Sequence, residues 1–134
     1  MKLDHSGLAV KSIAQARKFY ENGLGLGSEP AIELVAGEKV RVLKVIVEPG
    51  IHIELLEPTS PDSPVAKFIE KRGEGMHHLS FRVDDIAAAT QRMIEKGFAP
   101  LWDAPRPGAG GCLVNFFHPR LAHGVLTELA QPPK

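Results

Sequence analysis

Residues 5–16 read HSGLAVKSIAQA and residues 78–89 read HLSFRVDDIAAA. Both follow the pattern His-x4-Val-x2-Ile-x2-Ala, through His5, Val10, Ile13 and Ala16 in the first copy and His78, Val83, Ile86 and Ala89 in the second. Internal self-similarity marks one supersecondary unit used more than once. Each copy opens as a strand. Alternation sets Ser6, Leu8 and Val10 against His5, Gly7 and Ala9, and Leu79, Phe81 and Val83 against His78, Ser80 and Arg82. Ser12 and either Asp84 or Asp85 then serve as helix N-caps. Ile13, Ala16, Phe19 and Tyr20 recur at helical spacing, as do Ile86, Ala89, Met93 and Ile94, and the helices run to Gly23 and Gly97. Each helix is expected on the apolar face of its strand. Both histidines therefore point to the face the helices leave open.

Further strands are expected outward from this repeat. Residues 40–47 are rich in β-branched side chains, Pro49-Gly50 makes a turn, and residues 51–56 form a last strand. In the second half, residues 98–102 precede the loop APRPGAGG, and residues 113–117 and 125–129 flank a turn around His118-Pro119. Between the halves, residues 58–64 form a breaker-rich linker, followed by a short helix over 65–71. The expectation is an α+β chain of two β-α-β-β-β units, about 1–57 and 75–131, within a single domain, joined by a linker and helix at about 58–74.

The last strand of each unit embeds a carboxylate among aliphatic residues: IHIELLEP around Glu54 and GVLTELAQ around Glu128. A charge in the middle of such a strand is costly unless exposed, paired or metal-bound. Glu54 follows His5 by 49 positions and Glu128 follows His78 by 50. Each unit thus contributes one histidine from its first strand and one glutamate from its last. If the units pack about an approximate two-fold axis, their open faces combine into a cleft holding His5, Glu54, His78 and Glu128. Two imidazoles and two carboxylates suit a divalent cation such as Zn, Co, Ni, Mn or Mg. Parity separates the other histidines. His52 shares a face with Glu54 and is a candidate to support a ligand, whereas His77 opposes His78 and is structural. His118 and His123 lie in a turn.

Composition narrows the function classes. The 134 residues suit one ordinary domain, and 43% hydrophobic with 24% charged residues excludes wholesale disorder. Sixteen basic residues cancel sixteen acidic ones, which excludes binding to nucleic acid or anionic membrane through bulk charge. The single cysteine, Cys112, excludes an internal disulfide and a cysteine-built zinc site. The opening residues lack the apolar stretch of a signal peptide, and no apolar run reaches the length of a membrane span, so a cytoplasmic protein is expected. The run GAGG at 108–111 leads into a strand rather than a helix, which argues for a tight turn and against a phosphate-cradling loop.

The stretches DHSGLAV, IELLEPTSPDSPVAKFIEKRGEGMHHLSFRVDDI, PRPGAGG, NFFHP and GVLTELAQ resemble the vicinal oxygen chelate superfamily, and within it the methylmalonyl-CoA epimerases. Together they cover most of the chain outside roughly residues 24–45. The resemblance implies paired βαβββ modules forming a curved mixed sheet around a metal-holding cleft. It implies metal ligands at His5, His78 and Glu128, with Glu54 as the fourth, and Glu128 as a base as well as a ligand. The implied reaction interconverts the C2 epimers of an acyl-CoA thioester through a metal-stabilised enolate, in a homodimer. A second carboxylate, which the family carries in the middle strands of the first module, is not evident: the matching strand reads VRVLKVIV, with Arg41 and Lys44 its polar residues. Lys44 and Glu38 are the substitutes at hand. Lys39, Arg41, Arg72, Arg82 and Arg106 are available to CoA phosphates.

Two other functions fit the fold. Glyoxalase I uses a His/Glu/His/Glu layout on a glutathione hemithioacetal, while HPRLAHGVLTEL reads like the epimerases. A non-catalytic small-molecule binding protein would need no four-ligand set.

Overall fold

The structure, a computed structural model, describes residues 1–134. The chain divides into two compact units, one of His5–His77 and one of His78–Lys134 together with Met1–Asp4. Each unit thus begins at the histidine of its repeat. The 58–74 segment belongs to the first unit, and the four N-terminal residues group with the second.

The first unit is built from β1 (Lys2–Ala9) from His5 onward, α1 (Ile13–Arg17), β2 (Gly27–Ser28), β3 (Glu33–Val35), β4 (Val40–Glu48), β5 (Ile51–Pro58) and α2 (Pro64–Arg72). β1 runs parallel to β5, β5 antiparallel to β4, and β2 and β3 both pair antiparallel with β4. In the second unit the order is β6 (Gly75–Arg82) from His78 onward, α3 (Ile86–Glu95), β7 (Arg106–Pro107), β8 (Leu113–Phe117) and β9 (Thr127–Gln131). β6 is parallel to β9, which is antiparallel to β8, which is antiparallel to β7. The second unit is therefore the expected βαβββ arrangement on a mixed sheet, and the first follows it with four strands after its helix, of which β2 and β3 are short.

The same local bonds recur in both units. Ser12 Oγ accepts the Gln15 N–H at 3.2 Å, and Asp85, not Asp84, caps α3 by accepting the Ala88 N–H at 3.0 Å. The Val10 N–H donates to the Leu56 carbonyl and the Val83 N–H to the Ala130 carbonyl, each at 2.9 Å. The first helical N–H of each unit reaches a side chain on the last strand, Ile13 to Glu57 Oε1 and Ile86 to Gln131 Oε1, both at 2.9 Å. Those acceptors stand three residues beyond Glu54 and Glu128, hence on the opposite, helix-facing side. There Val10, Ile13, Leu43, Val45 and Leu55 form one core, and Val83, Ile86, Ala89, Phe117 and Leu129 the other.

Three expectations change. The first helix is α-helical only to Arg17 and continues as a π-helical turn, Lys18–Gly23. The wider turn rotates the pattern, so Tyr20 packs on the core while Phe19 is 62% exposed. In α3, Met93 packs and Ile94 faces solvent. Residues 98–102 do not form a strand. The Asn115 side chain accepts the Trp102 N–H at 3.2 Å and donates to the Trp102 carbonyl at 2.9 Å, taking the place of a strand ladder. No helix is long and apolar enough to cross a membrane.

Candidate active site

In the first unit the parallel register of β1 and β5 sets His5 beside His52 and Gly7 beside Glu54. By alternation these four share the face turned away from Leu55 and α1. His5 and Glu54 are 4% and 5% exposed. His5 Nδ1 lies 3.3 Å from Glu54 Oε2, and His52 Nε2 lies 2.9 Å from the same oxygen. A carboxylate can only accept, so the His52 imidazole is the donor. The His52 ring also stacks on His5, with centroids 4.9 Å apart and planes inclined by 26°. Ligand atoms of His5, His52 and Glu54 all lie within 4.8 Å of one another.

The second unit repeats the geometry. β6 and β9 place Ser80 beside Glu128, and Ser80 follows His78 by two residues as Gly7 follows His5. His78 and Glu128 are 5% and 6% exposed, with ligand atoms within 4.8 Å of each other. The expected ligands thus come as two buried His–Glu pairs, one in each unit. Phe116, which the sequence did not single out, stands directly across from Glu128 on β8. Its ring is edge-on to His78 at 5.7 Å and to Trp102 at 5.4 Å, and the Arg106 guanidinium lies 4.1 Å above Trp102. Only the β8–β9 register assigns Phe116 rather than Phe117 to this face.

The remaining candidates separate cleanly. His77 meets Phe68 edge-on at 5.0 Å, and burial pushes its pKa down to about 4, as suits a structural imidazole. His118 Nδ1 accepts the Arg120 N–H within its turn, and His123 has a φ of 56° in the same turn. On β4, Val42, Lys44 and Ile46 oppose Leu56, Glu54 and His52. Lys44 therefore shares the Glu54 face, and this face of β4 carries no carboxylate. Glu38 ends a 3-10 turn, Ala36–Glu38. The glycine run forms a second such turn, Ala109–Gly111, leading into β8. Of the cations considered for phosphates, Lys39, Arg41 and Arg82 are bonded to Asp62, Glu57 and Asp4, whereas Arg72 and Arg106 lie over Phe68 and Trp102.

A model of the Glyoxalase/Bleomycin resistance protein/Dioxygenase superfamily matches residues 4–116, which takes in both histidines and Glu54. The chain belongs to this superfamily. Within it the chain falls among the methylmalonyl-CoA epimerases and is an enzyme of the epimerase class. The Ethylmalonyl-CoA/methylmalonyl-CoA epimerase of Cereibacter sphaeroides is 38% identical over 133 residues, covering 97% of each chain. The mitochondrial methylmalonyl-CoA epimerase of Homo sapiens is 38% identical over 97% of this chain and 73% of its own length. A structure of a Streptomyces coelicolor methylmalonyl-CoA epimerase variant in complex with 2-nitronate-propionyl-CoA superposes with a TM-score of 0.92 at 34% identity, covering 100% of this chain and 99% of that one. Superfamily enzymes typically bind a divalent metal, and both buried pairs present the imidazole and carboxylate donors such an ion takes.

Proposed function

We propose that the chain interconverts the (R) and (S) epimers of methylmalonyl-CoA at C2. The observation that carries this reading is the pair of buried sets, His5 with Glu54 and His78 with Glu128, each on the face its helix leaves open, in a chain of this family. In this reading the four residues together hold one divalent ion, Co, Mn, Mg, Ni or Zn. The donor set fits. Buried glutamates need a cation or hydrogen-bond donors to offset lost hydration, and two imidazoles with two carboxylates suit any of these ions. When bound, the ion supplies Lewis-acid stabilisation of negative charge on the thioester oxygen.

The chain's own residues do the rest. Glu128 takes the proton from C2, and the electron pair of the broken C–H bond moves toward the thioester carbonyl. Return of a proton to the opposite face gives the other epimer. The Phe116 ring stands across from Glu128 on the neighbouring strand and edge-on to His78. The substrate is an acyl-CoA thioester. The same reading places the enzyme in the cytoplasm as a homodimer.

Protein loaded with Co, Mn or Mg and incubated with one epimer in deuterated water should racemise C2 and incorporate deuterium there, and a chelator should stop it. Absence of exchange with all three ions would reject the reading. Turnover of the hemithioacetal of methylglyoxal and glutathione instead would reassign the site to glyoxalase I chemistry. Glu128→Gln should abolish exchange, since the amide cannot take the proton. Retained exchange would remove the role given to Glu128.

A further inference from the structure

The two units match in register and differ in what surrounds the glutamate: Lys44 and Gly7 stand beside Glu54 where Phe116 and Ser80 stand beside Glu128. Two residues before the glutamate, on the same face, the first unit has His52 and the second has Leu126. His52 donates to Glu54 Oε2 at 2.9 Å. Its ring is held in turn by stacking on His5, its register partner on the adjacent strand, at 4.9 Å. The His52 side chain is 14% exposed, so little water competes for the bond. An aliphatic side chain at the matching place has nothing to donate.

We infer that His52 is a positioning residue that fixes Glu54 as a standing metal ligand. The inference rests on the metal site proposed above and concerns metal binding alone. A carboxylate with one oxygen held by a donor presents the other in a set direction, and its loss of rotational freedom is met in the folded protein rather than on binding. A hydrogen-bonded partner behind a ligand is worth roughly tenfold to a hundredfold in metal affinity.

The test uses Co2+ alone as probe, titrated by its visible absorption, on the whole protein and on two variants. His52→Phe keeps a ring to stack on His5 and removes the donor. His52→Gln keeps an N–H donor. His52→Phe should weaken Co2+ binding by roughly tenfold to a hundredfold with the same absorption spectrum when saturated. His52→Gln should recover part of that loss. The Co2+ concentration for half-maximal deuterium exchange should rise by the same factor as the dissociation constant. Unchanged Co2+ affinity in His52→Phe overturns the inference. A changed spectrum at saturation overturns it too, because His52 would then be a direct ligand. Should His52→Phe fail to fold, His52→Leu, which reproduces the Leu126 of the second unit, carries the test: a roughly tenfold to hundredfold loss supports the inference and an unchanged affinity overturns it. A parent protein that binds no Co2+ overturns the inference, whereas one that binds Co2+ and exchanges no proton overturns only the epimerase reading.

Discussion

Gly108 shows how closely single residues are fitted beside the site. A Cβ built there would stand 2.9 Å from Val114 Cγ1 and 3.1 Å from Cγ2, and Val114 is buried on β8. Gly108→Ala should therefore destabilise the fold by about 1–3 kcal/mol through overpacking. Denaturant unfolding would check this, and adding Val114→Ala should cost less than the two single changes summed. The sequence alone marked the glycine run as a turn. It gave no sign of the valine, because that contact depends on the β7–β8 pairing. The same limit separates the site residues. His5, Glu54, His78 and Glu128 were legible from spacing and parity, since alternation in a strand assigns faces without any partner. Phe116 was not, because NFF offers two adjacent phenylalanines and only the β8–β9 register chooses between them.

Elements here are tied to one another through side chains as much as through ladders. Gln131 accepts the first N–H of α3 and Glu57 that of α1, so each last strand fixes where its helix begins. Gln131→Ala should cost about 1 kcal/mol by leaving the Ile86 N–H without its acceptor, measured as a shift in the urea midpoint at unchanged slope. Asn115→Ala should cost more, about 1–3 kcal/mol, because Asn115 is 1% exposed and serves both backbone groups of Trp102. Its removal should also loosen the 98–102 segment, visible as faster amide exchange at Trp102. That segment reads as a strand because Phe98, Leu101 and Trp102 are strand-favouring types. A side chain rather than a neighbouring backbone satisfies Trp102, and local composition carries no trace of that. The helix following His5 was legible in type but not in period, since a π-helical turn preserves apolar composition while rotating which residue packs.

For the molecule as a whole, stability should depend on pH and on metal. Burial holds the His77 pKa at about 4, against 6.5 for an ordinary imidazole. The unfolded chain therefore takes up that proton first, and the His77 contribution should be fully present above about pH 6.5 and decline as pH falls toward 4. His77→Phe should flatten that part of a stability–pH curve if the variant folds. Under the proposed metal site, Co2+ at a hundredfold excess over its dissociation constant should add about 2.7 kcal/mol to unfolding, raising Tm, and chelation should reverse it. An unchanged Tm in saturating Co2+ would count against the site. The sequence by itself determined the duplication, the two βαβββ units, and the residues that share each open face. Those follow from short-range rules: strand alternation, helical periodicity and capping all act within a few residues. Only the tertiary structure decided the pairing of Gly7 with Glu54 and Ser80 with Glu128, the bond from His52 to Glu54, and the place of Phe116 across from Glu128. The strand pairings join residues far apart in the chain, in a register set by cores that form only when the units fold, and the bond from His52 to Glu54, two residues apart, goes with the stacking of the His52 ring on His5 from the adjacent strand.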